Sequence, residues 1–444
     1  MDLTSFLPSF GGASFTIIAF VVALSIIVAV HEYGHYIVGR WSGIHAEVFS
    51  LGFGPVLFSR HDKRGTKWQI ALLPFGGYVK FMGDANAASG KDGEAMEGLS
   101  ETELRRTMHG APLWARAATV AAGPVFNFIL SFFVFAGVFL SQGVAVDPLT
   151  IASVRDYPVA SQGLRVGDEV LSIAGVSIPD AESLTAVSET LPQQALLDYQ
   201  VRRDGEDINV NAPHPFPPFA SSIQPRSAAA EAGIIPGDVI LSVDGADVET
   251  FEALRTIVGN SDGNTLSVSV WREGNIEALT MTPERRDLPL ADGSFETRWL
   301  IGVTGGLFFD VQTETPGIGE ALMGGVTQTW FVVKSSLSGL YHMATGAISS
   351  CNISGPIGIA QSAGDMASLG SQSFIWFIAL LSTAVGLLNL FPIPVLDGGH
   401  LVFYAWEAVT GKPPNDKALQ ILMTIGLALL LSLMVFALTN DLFC

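Results

Sequence analysis

Ser14-Phe15-Thr16-Ile17-Ile18-Ala19-Phe20-Val21-Val22-Ala23-Leu24-Ser25-Ile26-Ile27-Val28-Ala29-Val30-His31-Glu32-Tyr33-Gly34-His35-Tyr36-Ile37-Val38 meets no charge until Glu32. A bilayer core is about 30 Å thick, so a spanning helix needs about 20 mostly apolar residues. The stretch is long and apolar enough to span, and it carries polar chemistry at its far end. A cleaved signal peptide would need a basic leading region. Only Asp2 is charged before the apolar run, so the segment is expected to be a retained helix.

Working outward, three further runs have the same character: about 117–140, 374–395 and 418–438. The chain is 49% hydrophobic and 15% charged, with mean hydropathy +0.42. Soluble domains carry roughly 25% charged residues, so part of this chain is expected to be solvated by lipid. The formal net charge of -19 argues against nucleic acid as a partner, because that binding needs a basic footprint. Basic residues favour the cytoplasmic side of short loops. Arg40, Arg60, Lys63, Arg64, Lys67, Lys80, Arg105 and Arg106 follow the first run, and Lys412 and Lys417 lie between the last two. Both loops are therefore expected to be cytoplasmic. The two termini and the long segment between spans two and three then lie outside. Cys351 and Cys444 are too few for a disulfide framework and are read as structural or free thiols, with no bridge expected between them.

The outer segment repeats itself. Gly163-Leu164-Arg165-Val166-Gly167-Asp168-Glu169-Val170-Leu171-Ser172-Ile173 returns as Gly233-Ile234-Ile235-Pro236-Gly237-Asp238-Val239-Ile240-Leu241-Ser242-Val243. Val201-Arg202-Arg203-Asp204-Gly205 returns as Val270-Trp271-Arg272-Glu273-Gly274. Self-similarity at one spacing marks tandem copies of one unit, and the alternation after each Gly-Asp turn predicts half-buried strands. The pattern resembles PDZ domains, which implies two PDZ-like α/β domains over 146–215 and 216–286. PDZ domains add extended peptides to a sheet edge. Capture of such a peptide and steric exclusion of bulky partners are both open roles.

His31-Glu32-Tyr33-Gly34-His35 is the sharpest chemical signal. On a helix, positions i and i+4 share a face, so His31 and His35 can hold one ion. Glu32 stands beside them, placed to act as a base. Ionisable groups inside a spanning helix are costly and usually functional. A catalytic zinc usually has three protein ligands. The favoured third is Asp397, within Asn389-Leu390-Phe391-Pro392-Ile393-Pro394-Val395-Leu396-Asp397-Gly398-Gly399-His400. The charge-derived topology brings His31, His35 and Asp397 to one depth, near the cytoplasmic face. His400 competes with Asp397 for that role. Pro392 and Pro394 break regular helix, which membrane depth tolerates only around protein or a wet cavity. Asn389 is placed either to hold the substrate backbone or to cap the broken helix.

These motifs resemble the site-2 protease family of M50 zinc metalloproteases, and within it the bacterial RseP-type regulators of intramembrane proteolysis. The resemblance covers nearly the whole chain. It implies that His31, His35 and Asp397 bind one Zn2+, that Glu32 is the catalytic base, and that Asn389 handles substrate. Phe49-Ser50-Leu51-Gly52-Phe53-Gly54 is similar to the family's Gly-x-Gly segment. Trp68-Gln69-Ile70-Ala71-Leu72-Leu73-Pro74-Phe75-Gly76-Gly77-Tyr78-Val79-Lys80-Phe81 is similar to its membrane-reentrant β-loop. Gly52, Gly54, Gly76, Gly77 and Tyr78 are accordingly candidate substrate-binding residues. Gly76-Gly77 also reads as a turn between two apolar stretches. A hairpin there would leave an edge on which an unwound substrate adds as a strand. The alternative is an interfacial anchor built on Trp68 and Tyr78. Ala122-Gly123-Pro124-Val125-Phe126-Asn127 and Ser354-Gly355-Pro356-Ile357-Gly358-Ile359-Ala360 match further family stretches.

The expected fold is a polytopic α-helical membrane protein, with four transmembrane helices, a membrane-associated β-hairpin and two inserted PDZ-like domains. The expected map is as follows: 1–41 first helix, 42–113 cytoplasmic loop with the β-loop, 114–145 second helix, 146–215 and 216–286 the PDZ-like pair, 287–372 external linker and juxtamembrane segment, 373–401 third helix, 402–417 cytoplasmic loop, and 418–444 fourth helix. Residues 85–100 form a polar loop that the resemblance does not interpret. The expected activity is intramembrane endoproteolysis in the bacterial inner membrane. By resemblance, its substrates are single-span proteins such as trimmed anti-sigma factors or signal-peptide remnants, prepared by an upstream site-1 protease. A non-catalytic, zinc-binding PDZ scaffold is one rival, and an intact Glu32 speaks against it. A zinc transporter is another, and the near absence of ionisable groups from spans two and four speaks against that.

Overall fold

The computed structural model of the chain describes residues 12–85, 93–158, 163–188, 190–289 and 295–443. The chain divides into two units, Met1–Val138 with Ile318–Cys444, and Phe139–Gly317.

The first unit is helical. Its principal elements are α1 (Ala13–Trp41), β1 (Ala46–His61), β2 (Lys67–Phe81), α2 (Leu113–Gln142), α3 (Ile318–Ala344), α4 (Pro356–Ser368), α5 (Ser371–Asn389), α6 (Asp397–Thr410) and α7 (Asp416–Phe443). Four of its helices, α1, α2, α5 and α7, are long and apolar enough to cross a membrane. They pack through small residues, as helices in lipid do. A Cβ at Gly34 would lie 2.5 Å from Ala122 O, so α1 and α2 touch backbone to backbone there. Ser131 Oγ donates to Ala379 O at 2.7 Å, and Ser382 Oγ donates to Asn127 O at 3.0 Å. These bonds stitch α2 to α5.

The third span ends at Asn389 rather than near 395. Pro392 and Pro394 lack the N–H groups a helix needs, and residues 390–396 bend before α6 starts at Asp397. Val395 in that bend has φ +92°, a strained conformation for a β-branched residue. The expected linker 287–372 is also more structured than its name: α3 and α4 occupy much of it. Asp441 near the end of α7 accepts from the backbone N–H groups of Gly355, Ile357 and Gly358 at 2.7–3.1 Å. This carboxylate satisfies donors that the start of α4 leaves free. Cys351 just before α4 is disulfide-bonded, which corrects the thiol reading for that residue. Its partner lies outside the described residues.

β1 and β2 pair antiparallel, but Gly76-Gly77 is not their turn. The reversal falls at Asp62–Thr66, where Asp62 Oδ1 accepts from Arg64 N and Thr66 N at 2.8 and 3.0 Å and Gly65 takes φ +90°. An Asp side chain that bonds its own downstream backbone makes the turn. Both strands then fold back. Ser50 is opposite Tyr78 on one side and Gln69 on the other, while Phe58 is opposite Ile70. Gly76 and Gly77 lie inside β2, at its bend. Leu57, Phe58, Ile70, Leu72 and Phe75 are all at least half exposed, giving the hairpin an apolar outer surface.

The second unit holds two matching four-stranded sheets. Their spatial orders are 176–177, 169–173, 196–203, 206–213 and 246–247, 239–243, 266–272, 275–281. Each has its own apolar core, one centred on Tyr199 and Ile173 and the other on Ile240 and Val270. The sequence repeat explains one clasp that occurs twice. Arg203 Nε and Nη2 donate to Asp168 at 2.7 Å, with Nη2 also reaching Gly163 O. Arg272 does the same to Asp238 and Gly233 O. The segment beyond 286 pairs with residues of both halves in separate two-stranded sheets: Val303 is opposite Ile223, and Phe309 is opposite Val154. The domain boundaries at 215 and 286 therefore leave out strands that both halves use.

Candidate metal centre

α1 presents His31 and His35 one turn apart, and α6 presents Asp397 in its first turn. Asp397 Oδ2 lies 3.2 Å from His31 Nε2 and 3.6 Å from His35 Nε2, and the two ring nitrogens are 3.1 Å apart. Two donors each about 2.0–2.1 Å from one tetrahedral ion stand about 3.3 Å apart, so the triangle has the size a zinc ion requires. Asp397 Oδ2 is buried and has no hydrogen-bond partner among the described residues. Three acceptor-capable atoms thus face one point, and a cation is the group that fits them.

α2 supplies the floor of the site. His35 Nδ1 lies 2.8 Å from Thr119 O, and the Asn127 side-chain nitrogen lies 3.1 Å from His31 Nδ1. Gly123 makes this approach possible. A Cβ there would overlap His35 Nε2 and lie 2.8 Å from His31 Cε1. Pro124 follows inside the helix, removing an N–H and loosening the local ladder. Sequence reasoning matched 122–127 to a family stretch but gave Asn127 and Gly123 no role. No residue spacing on α2 says what α1 brings to it.

Glu32 sits between the histidines in sequence and faces β2. A Cβ at Gly77 would lie 3.1 Å from Glu32 Cγ and 2.8 Å from Ser50 O. The missing side chain at Gly77 therefore lets the β2 backbone run beside the glutamate. Gly52 has φ +88°, and a Cβ there would lie 2.7 Å from Leu73 O. Gly54 shares the positive φ, and Gly76 backs onto the Phe53 ring. Tyr78 stacks on Phe53 and accepts from Gln69 Nε2 at 3.2 Å. The glycines thus shape the hairpin, and Tyr78 is held inside it. Asn389 ends α5, and no hydrogen bond joins its side chain to another group among the described residues. His400, the competing ligand, is not part of the cluster that brings His31, His35 and Asp397 within 4.8 Å of one another.

An apolar groove of about 420 Å³ is lined among others by Ala29, Val30, Tyr33, Phe49, Trp68 and Ile70. Its walls come from α1 and the hairpin.

The sequence model of peptidase family M50 matches residues 19–433. A protein of Agrobacterium fabrum, provisionally named a zinc metalloprotease, is 36% identical over 99% of this chain and 97% of its own. One of Rhizobium meliloti with the same kind of name is 38% identical over 96% of each chain. The regulator of sigma-E protease RseP of Salmonella typhimurium is 33% identical over 95% of this chain and 97% of its own. With a family match across nearly all of its length and relatives at this level of identity, the chain belongs to peptidase family M50.

Proposed function

We propose that the protein is an intramembrane zinc metalloendoprotease of the site-2 type, with His31, His35 and Asp397 as metal ligands and Glu32 as general base. The observation that carries this reading is the triangle of His31, His35 and Asp397, whose carboxylate oxygen is buried with no hydrogen-bond partner among the described residues, next to a glutamate that mere metal binding does not need. When bound, zinc would supply Lewis acidity that lowers the pKa of water towards ~7. Glu32 takes a proton from the attacking water and returns it to the departing amine nitrogen. Gly77 keeps the β2 backbone against Glu32, so an unwound substrate segment lying along the hairpin passes the base. Gly52, Gly54 and Gly76 hold the shape of that hairpin, Tyr78 braces it, and the groove at Val30 and Tyr33 takes an apolar side chain. Asn389 is assigned to the substrate backbone at the end of α5.

The proposed substrates are single-span membrane proteins, such as trimmed anti-sigma factors or signal-peptide remnants, after an upstream protease has shortened them. The relative named for sigma-E regulation supports that class. The proposed location is the bacterial inner membrane, with the termini and the PDZ-like pair outside and the metal centre near the cytoplasmic face. The PDZ-like pair selects substrates and performs no chemistry.

The test is Glu32→Gln, which keeps the shape of the side chain and removes the base. The purified variant is expected to retain zinc by metal analysis and to lose about 10²–10⁴-fold in turnover of a single-span substrate. Near-normal turnover would sink the assignment.

A further inference from the structure

Both histidines turn towards α2 the ring nitrogen that faces away from Asp397. For His35 the chemistry is settled by the partner. Thr119 O can only accept, so Nδ1 carries a proton, and in the neutral ring Nε2 keeps its lone pair for the cluster. His31 meets a group of two faces. The Asn127 side-chain nitrogen lies 3.1 Å from His31 Nδ1, while Asn127 Oδ1 is buried with no partner among the described residues. We propose that Asn127 is the positioning residue of His31: in the metal-loaded protein its carboxamide oxygen accepts from His31 Nδ1–H and locks the ring with Nε2 towards the ion. This rests on the zinc reading given above.

The argument is one of donors and acceptors. If His31 ligates through Nε2, its ring proton must sit on Nδ1. An amide N–H facing that proton sets donor against donor. A carboxamide has nearly the same shape after a 180° turn, and that turn gives the orphaned Oδ1 its donor. The rest of Asn127 cannot yield. Its backbone O accepts from Ser382 Oγ at 3.0 Å and lies 3.0 Å from Ser131 Oγ, whose proton goes to Ala379 O at 2.7 Å. A Cβ at Gly386 of α5 would lie 3.1 Å from Asn127 Cβ. Two helices thus pin Asn127, and the amide rotation is the freedom that remains. Outer partners of this kind fix ring orientation and raise ligand basicity. Their loss typically costs 10–100-fold in metal affinity.

The experiment measures zinc affinity of the full-length protein in detergent, by competition with a chelating dye, for the parent, Asn127→Asp, Asn127→Leu and Asn127→Ala. Thermal midpoints of the metal-stripped forms are recorded alongside. Aspartate keeps an acceptor and removes the amide donor, so Asn127→Asp is expected to bind zinc as the parent does. Leucine keeps the volume without the acceptor, and alanine removes both. Each is expected to bind about 10–100-fold more weakly. The proposal is overturned if Asn127→Leu or Asn127→Ala binds as tightly as the parent, or if Asn127→Asp binds as weakly as they do. Should both apolar variants fail to fold, Asn127→Asp still overturns the proposal by binding weakly. A parent that binds zinc and responds to Glu32→Gln, with all Asn127 variants binding alike, defeats only the positioning role. A parent that takes up no zinc defeats the zinc reading itself.

Discussion

Gly123 shows how little space separates the candidate metal site from a packed helix crossing. Any side chain at that position enters the volume of His35 Nε2 and approaches His31 Cε1. The rings are already held by Thr119 O and by Asn127, so they have no room to retreat. Gly123→Ala is therefore expected to lower bound zinc and cleavage together. Gly137→Ala lies on the same helix with nothing within 4 Å of the new methyl. It should leave zinc unchanged and, by removing a flexible residue, stabilise α2 by about 0.5–1 kcal/mol. Metal analysis of the two variants side by side checks this, and equal zinc content in both would refute it. At this scale the clustering of His31 with His35 was legible because four-residue spacing on a helix is itself geometry, and that of Asp397 because a carboxylate beside an apolar run demands a partner. Gly123 and Asn127 acquire their roles only through the approach of another helix, which no local pattern encodes.

The elements of the second unit carry their own lock. Asp238 is fully buried and Asp168 nearly so, and each is forked by an arginine that also holds a glycine carbonyl of the preceding turn. Removing one partner of a fully buried pair costs about 3–5 kcal/mol. Arg272 is 22% exposed and keeps Glu277 at 2.7 Å from Nη1, so the loss of Asp238 should cost less than that. Asp238→Ala is expected to lower protection from hydrogen exchange in 239–243 and 266–272 of the intact protein, while 169–173 and 196–203 keep theirs. Equal loss in both sheets would mean that the two halves unfold as one body. The repeat made these sheets visible in advance, because strands with alternating burial repeat as patterns. Turns were harder. Gly76-Gly77 carries the composition of a hairpin turn, yet Asp62 wins the reversal through its two backbone bonds, and the glycines serve close packing instead. Apolar composition likewise carried the third span past Asn389, where Pro392 and Pro394 stop it.

The whole molecule changes how the substrate-selection idea must be tested. The repeated pair was bounded at 146–286 from the repeat, but the sequence after 286 is part of it. Ile301 lies in the second core, and Phe308 and Phe309 in the first. Cutting out 146–286 would strip these residues of their partners and expose them, and a failed enzyme would then say nothing about selection. The natural excision points are where the unit's entry and exit strands lie side by side: Ala145 is opposite Thr313, and Val144 is opposite Glu314. Neighbouring strands are about 4.7–4.9 Å apart, so a short glycine-serine link can replace 146–312 without stretching either end. The link preserves the path from α2 to α3. All proposed ligands and Glu32 lie outside the excised part, so zinc content should stay at the parent level. If the pair excludes bulky partners, the shortened enzyme should cut an untrimmed substrate that the parent refuses. If it captures peptides, the shortened enzyme should instead cut the trimmed substrate more slowly. Cleavage of a long and a trimmed version of one substrate, by parent and shortened enzyme, distinguishes the two. A shortened enzyme that keeps its zinc yet cuts neither version would mean that the outer unit helps to build the active site, and the division between selection and chemistry would fall.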